Sequence, residues 1–234
     1  MYKTDQLKLQ DWWDIGIEYH PTELGIILIN IPGAGGTVSG YKNKYINLGN
    51  YLQSKNIASF VRIPNDRPSE YELTVRTVIN YCLENSEQVC NTPIPEIWLM
   101  GFSAGAGAVV LTGWEYPEVT KILAINPFLE VRGVRDRLKE NLPGYEGELY
   151  LVKGSDDTVI ATDTIEYISN LAESVSVLKT LEIPDCDHQL KGEDNSKILS
   201  KLPEHFFLGE YKERDFPNKE EGFNLFDEDL PLKE

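Results

Sequence analysis

A serine set between two glycines, Gly101-Phe102-Ser103-Ala104-Gly105, is the first group in this chain with the makings of a nucleophile. In the pattern G-x-S-x-G the glycines clear the backbone around a serine held in a sharp, strained turn, and its hydroxyl stands free. The plainer alternative is that Ser103 caps a helix opening at Ala104. A serine attacks an acyl carbon only when a base takes its proton, and the base needs a carboxylate to orient it. The bases on offer are His20, His188 and His205. A carboxylate pair, Asp156-Asp157, follows Gly154-Ser155, although aspartate in such a place is also an ordinary turn residue. A second glycine-rich stretch, Pro32-Gly33-Ala34-Gly35-Gly36, offers backbone N–H groups that no side chain obstructs. It fits neither nucleotide pattern. From Gly33 the dinucleotide spacing fails at Val38, and from Gly35 the phosphate loop finds Tyr41 where a lysine is needed.

These groups can meet only if regular elements carry them. Ile94 to Met100 reads as a buried strand leading into the serine, and the small-residue run behind it as a helix ending near Trp114. Gly105 and Gly107 each cost that helix about 1 kcal/mol relative to alanine, so something must pack closely against them. Gly25 to Ile31 is continuously apolar, the mark of a strand covered on both faces, and it delivers the glycine-rich loop. Ala58 to Pro64, Lys121 to Asn126, Glu148 to Lys153 and Val175 to Ile183 predict further strands. The alternation between Leu7 and Tyr19 predicts one or two peripheral strands.

Helices are expected over Tyr45 to Lys55, with Ile46, Leu48 or Gly49, and Leu52 inward, and behind a Ser69–Glu72 capping box, with Leu73, Val75, Val78, Ile79 and Cys82 inward. Two more are expected over Val134 to Asn141 and Thr162 to Ala172, and a terminal one holds His205. Strands alternating with helices make the fold class α/β: a mostly parallel sheet with helices on both faces, and a site beyond the C-terminal ends of its strands. About twenty residues separate Pro127 from Gly147, room for little or no cap domain. There Leu129, Val131, Val134 and Leu138 read either as the inner face of a packed helix or as a small flap.

With strand, turn and helix in this order, the chain resembles the α/β-hydrolase superfamily, in its serine esterase, carboxylesterase and dienelactone hydrolase branch. The resemblance covers about residues 25 to 205. It implies that Ser103 is the nucleophile and that an acid and a histidine follow in that order. In relatives the acid commonly stands three residues after a glycine such as Gly154, which selects Asp157 over Asp156. Adjacent side chains along an extended chain point apart, so one of the two faces the site. His188 follows the strand ending at Ile183, as the order requires. His20 lies ahead of the first central strand, and His205 follows Pro203 in a helix.

The resemblance also gives the oxyanion hole to the N–H of Ala34, with Gly35 next, and to that of Ala104. Many relatives carry His-Gly where this chain has Pro32-Gly33. The implied activity is a serine hydrolase cleaving a carboxylic ester or related acyl compound through an acyl-enzyme; a thioester or peptide would use the same groups. The alternative from another class is a hydrolase-like binding or scaffolding protein without catalysis. No cofactor is expected and no metal site, because the three histidines and Cys82, Cys90 and Cys186 show none of the usual zinc spacings.

Composition narrows the partners. Thirty-eight acidic against 22 basic side chains give a formal charge of −16, which opposes nucleic acid and anionic membrane surfaces and weakly disfavours strongly anionic substrates; the partner that the resemblance implies is a small-molecule acyl substrate. Three cysteines without C-x-x-C spacing fit a reducing compartment. The first residues contain neither a secretory signal nor a membrane span, so the cytoplasm is expected. At 234 residues the chain is read as one domain over 1–208 and an acidic extension over 209–234. In that extension Phe216, Phe223, Leu225 and Phe226 are spaced along a solvated or loosely docked tail. Oligomeric state is left open.

Overall fold

The chain begins with a hairpin: β1 (Lys3–Gln10) and β2 (Trp13–His20) pair antiparallel. Along β2, Trp13, Ile15, Ile17 and Tyr19 are buried while Asp14 and Gly16 face out, the alternation of a strand with one covered face. The computed structural model describes residues 2–10, 13–65, 70–191 and 193–208. After the hairpin come β3 (Ile26–Ile31), α1 (Lys44–Ser54), β4 (Ser59–Arg62), α2 (Tyr71–Glu84), α3 (Ser86–Cys90) and β5 (Glu96–Phe102). Then follow α4 (Ala104–Thr112), β6 (Val119–Ile125), α5 (Val134–Asn141), β7 (Glu148–Gly154), α6 (Thr164–Leu171), β8 (Val177–Ile183) and α7 (Glu193–Phe207).

One eight-stranded open sheet results, in the order β1-β2-β4-β3-β5-β6-β7-β8. β2 joins β4 antiparallel, and every pair from β4 to β8 is parallel. Parallel neighbours need crossovers, and the helices supply them. Central strands send alternate side chains to two cores. Ile27, Ile29, Ile97, Leu99, Ile122, Leu149 and Leu151 lie with α2, α4, α5 and α6, while Leu28, Trp98, Met100, Leu123, Tyr150 and Val152 lie with α1 and α7. Both faces are covered, which is why these strands read as unbroken apolar runs.

Several details differ from the pattern-based expectation. On α1 the inward residues are Tyr45, Leu48, Gly49, Tyr51 and Leu52, and Ile46 is only half-buried. β8 lies at the sheet's edge and is largely exposed over Leu178 to Thr180. The short α3 carries no signal strong enough to be read in advance. Ser69 of the expected capping box lies outside the described residues, as does the 209–234 extension. Glu70 stands at the start of α2 without a side-chain cap.

Candidate active site

The three sequence-predicted side chains come together above the strand ends. The hydroxyl of Ser103 lies 2.8 Å from Nε2 of His188, and Nδ1 of His188 lies 2.7 Å from Oδ2 of Asp157. A carboxylate only accepts, so the ring proton belongs on Nδ1; Nε2 is left as the acceptor of the Ser103 hydroxyl. Asp157 is wholly covered at its side chain, and His188 keeps 13% of its side chain exposed. The second Asp157 oxygen is occupied too: Oδ1 accepts the amides of Val159 at 2.7 Å and Ile160 at 3.2 Å. A buried carboxylate with this many donors is held in one orientation. Asp156 is exposed and accepts from Ser155 Oγ at 3.0 Å, and no hydrogen bond joins it to His188 among the described residues.

Ser103 sits between β5 and α4 with φ 55° and ψ −120°, a left-handed conformation that a side chain disfavours. It occupies the N-cap position of α4, yet its side chain makes no capping hydrogen bond. The hydroxyl is committed to His188 instead. Close approach explains the helix glycines: a Cβ on Gly105 would stand 2.3 Å from the carbonyl oxygen of Ile31, and one on Gly107 2.4 Å from that of Phe128. The helix therefore lies directly against the backbone that enters the glycine-rich loop.

That loop is fastened by Asn65, which sequence reading overlooked. Its Nδ2 donates to the carbonyl of Pro32 at 2.6 Å, its amide to that of Gly36 at 2.8 Å, and its own carbonyl accepts the amide of Gly35 at 2.7 Å. Gly35 is thus corrected as an oxyanion donor, because its N–H is already used. Ala34 remains exposed at the tip, and Ala104, first residue of α4, has no acceptor a turn earlier for its amide. A Cβ on Gly33 would lie 3.1 Å from the Cβ of Ser103, so loop and serine are in contact.

A second overlooked residue is Asn126, fully buried at the end of β6 with φ 46°. Its Nδ2 donates to the carbonyl of His188 at 2.9 Å, and its Oδ1 accepts the amide of Gly154 at 2.9 Å. One amide therefore ties the histidine loop to the strand that delivers Asp157. A polar residue closing an apolar strand just before Pro127 was the available signal. Positive φ values gather here: Ser103, Asn126, Asp185 and Leu190 all flank the candidate groups. Such strain costs about 1–3 kcal/mol per residue and persists where the surroundings enforce it.

Leu129, Val134 and Leu138 are buried in one cluster with residues of α4 and Val131 is exposed, so α5 is a helix packed on α4 rather than a loose flap. Glu130 accepts from the amides of Leu129 at 3.0 Å and Ala161 at 3.3 Å. Arg135 grips Asp163 with two bonds of 2.8 and 2.9 Å, and the hydroxyl of Tyr167 donates to the Arg135 carbonyl at 2.7 Å. The other two histidines stand apart from the site. His20 is buried in the β2 end beside Phe60, and His205 lies on α7. Among the described residues no group of three His, Cys, Asp or Glu is placed to hold a metal ion, and no helix is long and apolar enough to cross a membrane.

No family model matches the sequence, and no curated protein does. Solved structures do. The esterase domain of a Rhodothermus marinus protein superposes with a TM-score of 0.67 at 14% identity, covering 86% of this chain and 96% of that one. An esterase from Pyrococcus furiosus gives 0.70 at 12%, covering 89% and 90%. A dienelactone hydrolase from Anabaena variabilis gives 0.67 at 14%, covering 89% and 97%. At such identities the likeness speaks for architecture, and the architecture it shares with them is the α/β-hydrolase fold.

Proposed function

We propose that this protein is a serine hydrolase that cleaves a carboxylic ester or related acyl compound. The observation that carries the reading is the unbroken hydrogen-bond line from Ser103 Oγ through both His188 nitrogens to a buried Asp157. His188 takes the proton as Ser103 attacks the acyl carbon, and Asp157 keeps the ring in the right tautomer and stabilises the imidazolium. The N–H groups of Ala34 and Ala104 receive the oxygen that becomes negative, each donor worth about 3 kcal/mol. His188 then protonates the departing alcohol, and water repeats the cycle on the acyl-enzyme. The esterases and dienelactone hydrolase of like fold support this chemistry by analogy.

The test is labelling with a fluorophosphonate followed by peptide mapping. Adduct is expected on Ser103 and absent from Ser103→Ala. A folded Ser103→Ala protein that still turned over activated esters would overturn the mechanism.

A further inference from the structure

Lys44 opens α1 beside this site, and nothing among the described residues neutralises it. Its Nζ stands 4.9 Å from the centroid of the Phe102 ring and 5.1 Å from that of Tyr45. No carboxylate pairs with it among the described residues, although the chain carries 38 acidic side chains. The first turn of α1 contains no acidic residue, and the positive end of a helix dipole disfavours a cation. Burial pushes the ammonium's pKa down. Every one of these terms opposes a charge at this place, and aromatic faces offset only part of that.

The ring on which the ammonium rests is a neighbour of the reacting groups. The Phe102 ring lies 5.8 Å from the His188 ring, and its Cδ1 is 3.3 Å from where a Cβ on Gly33 would stand. One aromatic ring therefore separates Lys44 from the histidine on one side and touches the glycine-rich loop on the other. The backbone of Gly40 passes close to the stem: a Cβ there would fall 2.8 Å from Cγ of Lys44 and 2.6 Å from the Tyr45 ring, and Lys42 and Asn43 both hold left-handed φ values, 48° and 60°. The amides of Lys44 and Tyr45 donate to the carbonyls of Tyr41 and Ser39, so these two are not free to receive an arriving anion.

We propose that Lys44 sets the substrate class of this site, its ammonium binding a carboxylate carried by the ester. The inference rests on the serine-hydrolase reading above. A net charge of −16 repels anions at a distance, and beyond roughly 8–10 Å that repulsion is screened at ordinary salt, so a single fixed cation decides matters at contact.

Two substrate pairs, one member of each carrying a carboxylate and the other neutral, test it. Monophenyl adipate against phenyl hexanoate puts the carboxylate on the acyl side; 3-(butyryloxy)benzoate against 3-(butyryloxy)benzamide puts it on the alcohol side. In one pair the wild type should favour the anionic member by about 10-fold in kcat/KM, carried by KM. Lys44→Met should abolish that preference and Lys44→Arg should keep it; Lys44→Gln reads the same charge should Lys44→Met not fold. Equal ratios in wild type and Lys44→Met, for both pairs, would overturn the proposal while leaving the hydrolase reading intact. Binding of the same anions to Ser103→Ala, followed by NMR titration, gives a readout without turnover. Loss of binding in Ser103→Ala/Lys44→Met supports the carboxylate subsite even if no ester is cleaved, and unchanged binding sinks it.

Discussion

Ser103 holds a backbone conformation that glycine adopts freely and serine does not. Ser103→Gly should therefore stabilise the fold by about 1–2 kcal/mol, read as a higher urea midpoint, while abolishing turnover. Asp157→Asn should lower kcat by about 10⁴ because the ring loses its tautomer, and Asp156→Asn should cost far less. A selective loss at Asp156 would reverse the assignment.

His20 yields a prediction of another kind. Its ring is fully buried, and burial first, then the Arg62 guanidinium, holds its pKa down to about 4. The unfolded chain takes up that proton near 6.5, so stability is full above 6.5 and falls as pH drops toward 4, by up to about 3 kcal/mol. Urea titrations at about pH 7 and about pH 4.5 should show this loss, and His20→Phe should shrink it. At this scale the sequence pointed to Ser103, Asp157 and His188, the three side chains that hydrogen bonds bring together, each marked by a neighbouring glycine or strand end. It hid Asn65 and Asn126, whose work depends on backbone carbonyls and amides far away in the chain. Gly35 failed as a donor for the same reason, because its acceptor is 30 residues on.

Among the elements, α5 is the candidate for a lid. Its inner face is spent on α4, and Arg135, Asp163 and Tyr167 lash it to α6. A helix so held is no lid. Esters of short and medium acyl chains should be preferred, and rates for p-nitrophenyl acetate through palmitate should show no jump where the longer substrates aggregate. A maximum at palmitate with such a jump would mean that the strap opens. The bounds of α5, and those of the buried strands to within two residues, were legible because apolar runs and helical spacing are local properties. Strand order is not local, and neither is the direction in which Tyr45 and Tyr51 turn inward, into the cluster that α7 shares with α1. Cross-strand partners, as in the pairing of β4 with both β2 and β3, are likewise set by packing rather than by neighbours in the chain.

The molecule as a whole closes one face of its sheet with its last described helix. Phe206 and Phe207 are buried there, their rings 5.0 Å from those of Tyr150 and Trp98 respectively. Phe206→Ala should cost about 3–5 kcal/mol in urea denaturation. The arrangement also sets a clock. Ribosomes make a chain from the N-terminus at roughly 5–20 residues per second, so the half of the sheet bearing Ser103 is translated seconds before Asp157 and His188, and α7 later still. On the serine-hydrolase reading proposed above, a nascent chain carries Ser103 before the histidine that would activate it, so the growing polypeptide is spared stray acylation until residue 188 has been made.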